Sequence, residues 1–300
     1  MSMSIPFLKT GDKIKLVSPG KAIDPELVIE AKEFWQKQGF LVELGQYCMG
    51  QHFYFSGTDK ERLEDFQNAL DDDEVKAIIC TRGGYGCVRI IDQLNWDKFL
   101  KQKKWIVGFS DVTVFHQHLQ SMGIESAHAT MPLNYAQNSS ESLKTLIDSL
   151  TGNLPSYKIP SSPKNIVGFG EGILLGGNLS IIYSLLATNE RVDYKNTILF
   201  IEDLAEQLYH IDRMFFSLKK ADILKQIRGL IVGGFTDLKD TQVPFGKNFQ
   251  DIVSEHIADL NIPVVFDFPA GHIDDNRALI FGKKVILKVD SSHAFLDYPF

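Results

Sequence analysis

Along the first half of the chain, short apolar runs alternate with stretches in which apolar side chains recur at every third or fourth position. The runs at 14–17, 40–44, 75–80, 105–107 and 124–127 read as strands. The stretches at 25–38, 58–70 and 88–94, and the one after Asp111 that carries Val112, Phe115 and Leu119, have helical spacing. Thr58, with Glu61 three residues on, has the form of a capping box and marks where the second helix starts. Strand, helix and strand in unbroken alternation predict a parallel sheet. Its strand-to-helix turns fall on one rim, the rim at which ligands bind.

Between residues 138 and 164 the pattern changes. A helix at 140–150 is followed by Thr151-Gly152-Asn153-Leu154-Pro155 and then Pro160-Ser161-Ser162-Pro163, which predicts a linker over 138–164 between a domain of residues 1–137 and one of residues 165–300. In the second domain, runs at 168–175, 197–202, 230–233, 264–266 and 284–289 read as strands, and 179–187, 206–221 and 249–260 as helices. The expected fold class is therefore α/β throughout, with a mixed sheet in the second domain.

Composition narrows the partner. A chain of 300 residues with 44% hydrophobic and 23% charged side chains is that of a packed globular protein. A formal net charge of −7, with Lys and Arg scattered, argues against nucleic acid and for a small molecule. Residues Met1 to Phe7 lack the basic and apolar regions of a signal peptide, and no run approaches a membrane span, so a cytoplasmic location with no membrane partner is expected. Cys48, Cys80 and Cys87 cannot all pair and show no C-x-x-C spacing, so neither a disulfide framework nor a zinc site is expected.

The run at 105–107 delivers Gly108-Phe109-Ser110-Asp111 to a sharp strand-to-helix turn. A serine there projects from the carboxyl edge of the sheet, where the free N–H groups that open the next helix can stabilise an oxyanion. The hydrolase pattern G-x-S-x-G is not met, since Val112 stands at its second glycine, and a plain helix cap by Ser110 or Asp111 is the competing reading. After the 75–80 run comes Thr81-Arg82-Gly83-Gly84-Tyr85-Gly86, a turn whose backbone can approach a ligand closely. It fits neither a dinucleotide fingerprint nor a P-loop, and a tight connection without function is the alternative. Glu202 ends the 197–202 run, where an acid can be half-buried and orient an imidazole, whereas Asp203 suits a cap for the following helix. His272 comes after the 264–266 run in a loop held by a strand end, which sets it above His116, His118 and His128 as a base.

Serine, glutamate and histidine in that order resemble the LD-carboxypeptidases, the serine peptidase family that also contains the microcin C immunity peptidases. The matching words are Arg82-Gly83-Gly84-Tyr85-Gly86, Gly108-Phe109-Ser110-Asp111, Gly176-Gly177-Asn178-Leu179, Leu199-Phe200-Ile201-Glu202-Asp203, and Gly271-His272 with Asn276 and Leu279. They span both domains. The resemblance implies a flavodoxin-like three-layer N-terminal domain with a parallel sheet, a C-terminal mixed α/β domain, the active site between them, a homodimer, and no metal or cofactor. It implies Ser110 as nucleophile, His272 as general base and then acid, Glu202 as the acid that orients His272, and the backbone N–H groups of Gly84 and Asp111 as the oxyanion hole. Ala129-Thr130 close before Pro132, where many relatives have glycine, and Leu279-Ile280, where relatives often have Leu-Pro, are departures that bear on loop shape.

The implied reaction is hydrolysis of the L,D-peptide bond that releases D-alanine from murein tetrapeptide in cell-wall recycling, through an acyl-enzyme. Arg82, Gly83 and Tyr85 are the expected substrate-binding residues. Arg82 is placed to hold the terminal carboxylate with two hydrogen bonds, against the alternative of a salt bridge that shapes the turn. A peptidyl or aminoacyl nucleotide as substrate would want an aromatic platform for adenine, and Trp35, Trp96 and Trp105 all lie in helix or strand segments. A non-catalytic binding protein for murein peptides is the reading from another class, and the presence of all three residue types speaks against it.

Overall fold

The computed structural model describes residues 4–188 and 192–299; residues 1–3, which belong to the segment read for a signal peptide, and residues 189–191 and 300 lie outside the described residues. The first sheet is built from β1 (Lys13–Val17), β2 (Leu41–Leu44), β3 (Val75–Cys80), β4 (Trp105–Gly108) and β5 (Ser126–His128), all parallel, in the order β5-β4-β3-β1-β2. Helices α1 (Pro25–Lys37), α2 (Asp59–Asp71), α3 (Asp97–Lys101) and α4 (Thr113–Ser121) make the crossovers. Every residue of β4 is buried, as is nearly all of β1 and β3, because helices cover both faces; that is why these strands read as unbroken apolar runs. α2 opens with the full capping box, Thr58 and Glu61 satisfying each other's backbone N–H. The helix expected at 88–94 is instead two 3₁₀ turns, Cys87–Arg89 and Ile91–Gln93. Cys87, Ile90, Ile91 and Leu94 are buried as a helix would have them, but the backbone closes shorter rings, Ile90 N–H to Cys87 O and Leu94 N–H to Ile91 O.

The stretch expected as a linker is ordered along most of its length. α5 (Ser140–Thr151) buries Leu146 and Leu150 in the first core and ends on Gly152 in the left-handed conformation. Beyond it, β6 (Tyr157–Pro160) turns Tyr157 and Ile159 inward at the edge of the second sheet. That sheet contains β7 (Gly168–Asn178), β8 (Thr197–Leu204), β9 (Gly229–Thr236) and β10 (Val264–Val265) in parallel, with α6 (Leu179–Ser184), α7 (Leu208–Lys220), α8 (Ile223–Gln226) and α9 (Phe249–Ile257) between them. After β11 (Leu279–Phe281) come β12 (Lys284–Val289) and β13 (His293–Asp297), which pair antiparallel and complete the mixed order β10-β9-β8-β7-β12-β13-β6. β11 itself leaves this sheet and pairs antiparallel with β5, so the carboxyl-terminal half supplies the sixth strand of the first sheet.

The two halves also meet along α4 and β7. Thr113 Oγ1 accepts the Asn178 N–H at 3.0 Å, and Gln117 donates to Gly176 O at 3.2 Å while accepting from the Tyr194 hydroxyl at 2.8 Å. Thr113→Val keeps the shape of the side chain but leaves the buried Asn178 N–H without an acceptor. It is expected to lower the free energy of unfolding by about 1–3 kcal/mol, read from urea unfolding curves at unchanged slope.

Candidate active site

Ser110 stands where β4 ends and a 3₁₀ turn, Ser110–Val112, leads into α4. Its φ is +62°, a conformation that side chains with a Cβ rarely adopt, and it is what makes the turn sharp enough to lift a hydroxyl off the sheet edge. The glycine-rich turn after β3 presses against it: a Cβ built on Gly83 would lie 2.8 Å from Ser110 Cβ and 3.0 Å from Ser110 Oγ. Only glycine lets that backbone come so close. Asp111 stitches turn and elbow together, its buried carboxylate accepting the Cys87 N–H at 2.9 Å. Burial pushes the Asp111 carboxyl above its usual range, although the Cys87 N–H pulls the other way.

A residue that sequence reasoning passed over holds the same turn from behind. Arg62, on α2, is fully buried and donates to Pro19 O, to Gly86 O at 3.0 Å and to Gly57 O at 3.3 Å, with Asp59 as its ion partner. On a polar helix with a capping box, an arginine reads as solvent-facing, so no signal singled it out. Arg82 donates to Ala22 O at 2.8 Å and so braces the loop after β1; Tyr85 is about half exposed beside Phe55.

Glu202 lies in β8, which continues two residues beyond it, in register with Asn178 of β7, and its side chain is fully buried. One carboxylate oxygen accepts from His272 Nδ1, and the other has no hydrogen-bond partner among the described residues. The loop that carries His272 is clamped on three sides. Gly271 bridges to Gly234, its N–H goes to Asn276 Oδ1 at 2.8 Å, and Thr236 Oγ1 donates to His272 O at 3.0 Å. Gly271 takes φ +103°, and a Cβ there would fall 2.6 Å from Glu202 Cβ, so the histidine reaches the glutamate only because its neighbour has no side chain. The ring of Phe109, next to Ser110, packs on the His272 ring with centroids 4.9 Å apart. Through Phe109, the elbow that carries Ser110 and the Glu–His pair thus adjoin at the seam of the two sheets.

Burial pulls the His272 imidazole down, but the Glu202 charge, the hydrogen bond to it and the Asp203 charge outweigh that, so its pKa is held above the ordinary value. Asp203 is pushed up to about 7 by burial and by the neighbouring Glu202. Its oxygens accept from Asn178 Nδ2, Leu204 N and Ser180 N, each at 2.9 Å. It therefore holds the start of α6, not the helix after β8 that the sequence suggested. The three histidines that the sequence ranked below it are engaged elsewhere: His116 bonds Ser126 Oγ and Gly108 O and is pushed down to about 4 by burial, His128 sits among Phe109, Phe200 and Phe281, and His118 lies on Trp96. A cleft opens beside His272, lined by Phe109, Asn134, Leu204, Thr236 and Asp237. Among the described residues no three His, Cys, Asp or Glu side chains gather as metal ligands would, and no helix is long and apolar enough to cross a membrane.

An elbow serine whose neighbour packs on a buried carboxylate–imidazole pair, between two α/β halves, is the equipment of a serine-type hydrolase. The pattern for the LD-carboxypeptidase N-terminal domain matches residues 14–129 and that for the LD-carboxypeptidase C-terminal domain matches residues 171–287; the chain belongs to this family of carboxypeptidases. A relative from Synechocystis sp. is 32% identical over 286 residues, which cover 95% of this chain and 94% of its own. The crystal structure of muramoyltetrapeptide carboxypeptidase from Oxalobacter formigenes superposes with a TM-score of 0.86 at 29% identity, over 96% of this chain and 100% of that one. The microcin C7 self immunity protein MccF, in complex with aspartyl sulfamoyl adenosine, shares the fold at a TM-score of 0.87 and 20% identity, over 99% of both chains.

Proposed function

We propose that this carboxypeptidase hydrolyses the L,D-peptide bond before the terminal D-alanine of murein tetrapeptide, with Ser110, His272 and Glu202 as its catalytic triad. The observation that carries the reading is the buried Glu202–His272 hydrogen bond next to the Ser110 elbow. Ser110 Oγ attacks the scissile carbonyl carbon while His272 Nε2 takes its proton. The N–H groups of Gly84 and Asp111 hold the oxyanion, and collapse breaks the C–N bond as His272 returns the proton to the amine of the leaving D-alanine. Water, deprotonated by His272, then releases the peptide from its ester with Ser110. Glu202 keeps the Nδ1 proton in place and stabilises the imidazolium that forms in each half. The family resemblance extends this to murein recycling in the cytoplasm by a homodimer. Turnover of aminoacyl nucleotides is the weaker reading: Trp35 and Trp105 are fully buried and Trp96 nearly so, which leaves no tryptophan to stack on adenine.

The test is mass-spectrometric. Incubated with L-Ala-D-Glu-meso-diaminopimelate-D-Ala, the protein is expected to remove one alanine, and to leave the peptide ending in L-alanine intact. Equal loss from both would remove the stereochemical claim, and loss from neither would remove the murein reading and turn attention to aminoacyl-adenylate analogues.

A further inference from the structure

A carboxypeptidase differs from an endopeptidase in having to hold a terminal carboxylate one residue beyond the bond it cuts, and the cations around the glycine turn differ in how far they are already committed. Arg62 is saturated by carbonyl oxygens and Asp59. Arg89 is forked onto Asp59, with Nε at 2.9 and 3.0 Å and Nη2 at 2.6 Å. Arg82 gives one donor to Ala22 O, and its Nε is buried with no hydrogen-bond partner among the described residues. Lys21 differs: among the described residues its ammonium makes no ion pair and instead stands 4.9 Å from the centre of the Tyr54 ring.

Its position is fixed by backbone. Lys21 N–H donates to Gly83 O at 3.4 Å, Lys21 bridges to Phe55, and Ala22 N–H donates to Tyr54 O at 3.0 Å, so the loop after β1, the loop before α2 and the glycine turn are laced together. Both side chains lie on the face of Gly84. A Cβ built on Gly84 would meet Lys21 Cβ at 2.7 Å, the Tyr54 hydroxyl at 3.2 Å and Lys21 Cδ at 3.5 Å. Gly84 adjoins Gly83, which touches Ser110, and its N–H is one of the two donors proposed above for the oxyanion. Consecutive Cα atoms are only about 3.8 Å apart, so the carboxylate of a leaving residue must lie within one residue's reach of the oxyanion donors.

The geometry points to Lys21 and Tyr54 as the clamp for the substrate's terminal carboxylate, the ammonium supplying charge and the phenol a second hydrogen bond. This rests on the peptidase reading of the site and deepens it: the two residues, not the triad, make the enzyme cut only at a free carboxyl end. The face of Tyr54 holds the ammonium by a cation–π contact, so little ordering is left for substrate binding to do.

The experiment compares kcat/KM for the tetrapeptide ending in D-alanine with that for the same peptide ending in D-alaninamide. The unaltered enzyme is expected to prefer the acid by roughly 30-fold or more, the worth of one hydrogen bond between charged groups. In Lys21→Met that preference should fall to within about threefold of unity, in Tyr54→Phe it should fall partway, and Lys21→Arg, which keeps the charge, should retain more of it than Lys21→Met. Should Lys21→Met fail to fold, Lys21→Gln and Tyr54→Phe yield the same ratio. An unchanged ratio, or an equal loss on acid and amide, overturns the clamp while leaving the peptidase reading intact. If the unaltered enzyme cleaves neither peptide, the peptidase reading fails and the clamp with it.

Discussion

Ser110→Ala is expected to lower kcat for release of D-alanine by roughly a million-fold while the tetrapeptide still binds. In serine peptidases, loss of nucleophile or base alone costs about as much as loss of the whole triad. His272→Ala should do nearly the same, and the double variant Ser110→Ala/His272→Ala should be no slower than either single one, because in the proposed triad the two side chains act as one device. The residue of rate above water would come from the Gly84 and Asp111 N–H donors, which neither substitution touches. Burst-phase and steady-state kinetics on the same peptide read this directly, with isothermal titration for binding. A Ser110→Ala enzyme within a hundredfold of the parent, or effects that multiply in the double variant, would mean that Ser110 is not the nucleophile. There is a structural counterpart as well: the serine is held at φ +62°, so alanine there keeps the strain and removes only the hydroxyl.

Much of this arrangement is legible in the chain because the strands that deliver the site are buried on both faces. β3 and β4 appear as unbroken apolar runs, and such a run must end in a turn at the carboxyl edge, so Gly83 and Ser110 are placed on one rim by pattern alone. The meeting of Glu202 with His272 is not legible that way. They stand 70 residues apart, and their contact depends on Gly271 leaving room for Glu202, a fact about packing that no periodicity carries. The short or half-exposed strands β6, β11 and β13 were beyond sequence reasoning for the same reason that β11 could change sheets: a three-residue run such as Leu279–Phe281 finds its partner through tertiary contact and not through propensity. Arg62 and Lys21 show a third kind of blindness. Both are charged residues in stretches that look solvated, and only the crowding of carbonyls around one and, among the described residues, the absence of an ion pair at the other set them apart.

Glu202→Gln is the second large effect, and its pH dependence carries more information than its size. The substitution keeps the shape of the side chain and removes its charge, and a fall in kcat of roughly a thousand- to ten-thousandfold is expected, as when the acid of a serine-peptidase triad becomes an amide and the histidine is left in the wrong tautomer. In the proposed mechanism His272 must be neutral to accept the Ser110 proton, so activity is expected to be lost as pH falls through its pKa. In the parent enzyme burial lowers that pKa, but Glu202 and Asp203 raise it further than burial lowers it, and the acid limb of kcat/KM should lie above the ordinary imidazole value of 6.5. Without the Glu202 charge the burial remains, so the limb should move toward acid even as the plateau drops. Asp203, pushed up to about 7, titrates in the same range, and Asp203→Asn separates the two: it removes only the smaller of the charges that raise His272 and should move the limb less. A slow enzyme with an unmoved limb would place the Glu202 charge elsewhere than on His272 in the working state, and a limb that moved with little loss of rate would make Glu202 a tuner of the base and not its holder. A large loss together with an acid shift is what a buried carboxylate, set on Nδ1 by the absence of a side chain at Gly271, requires.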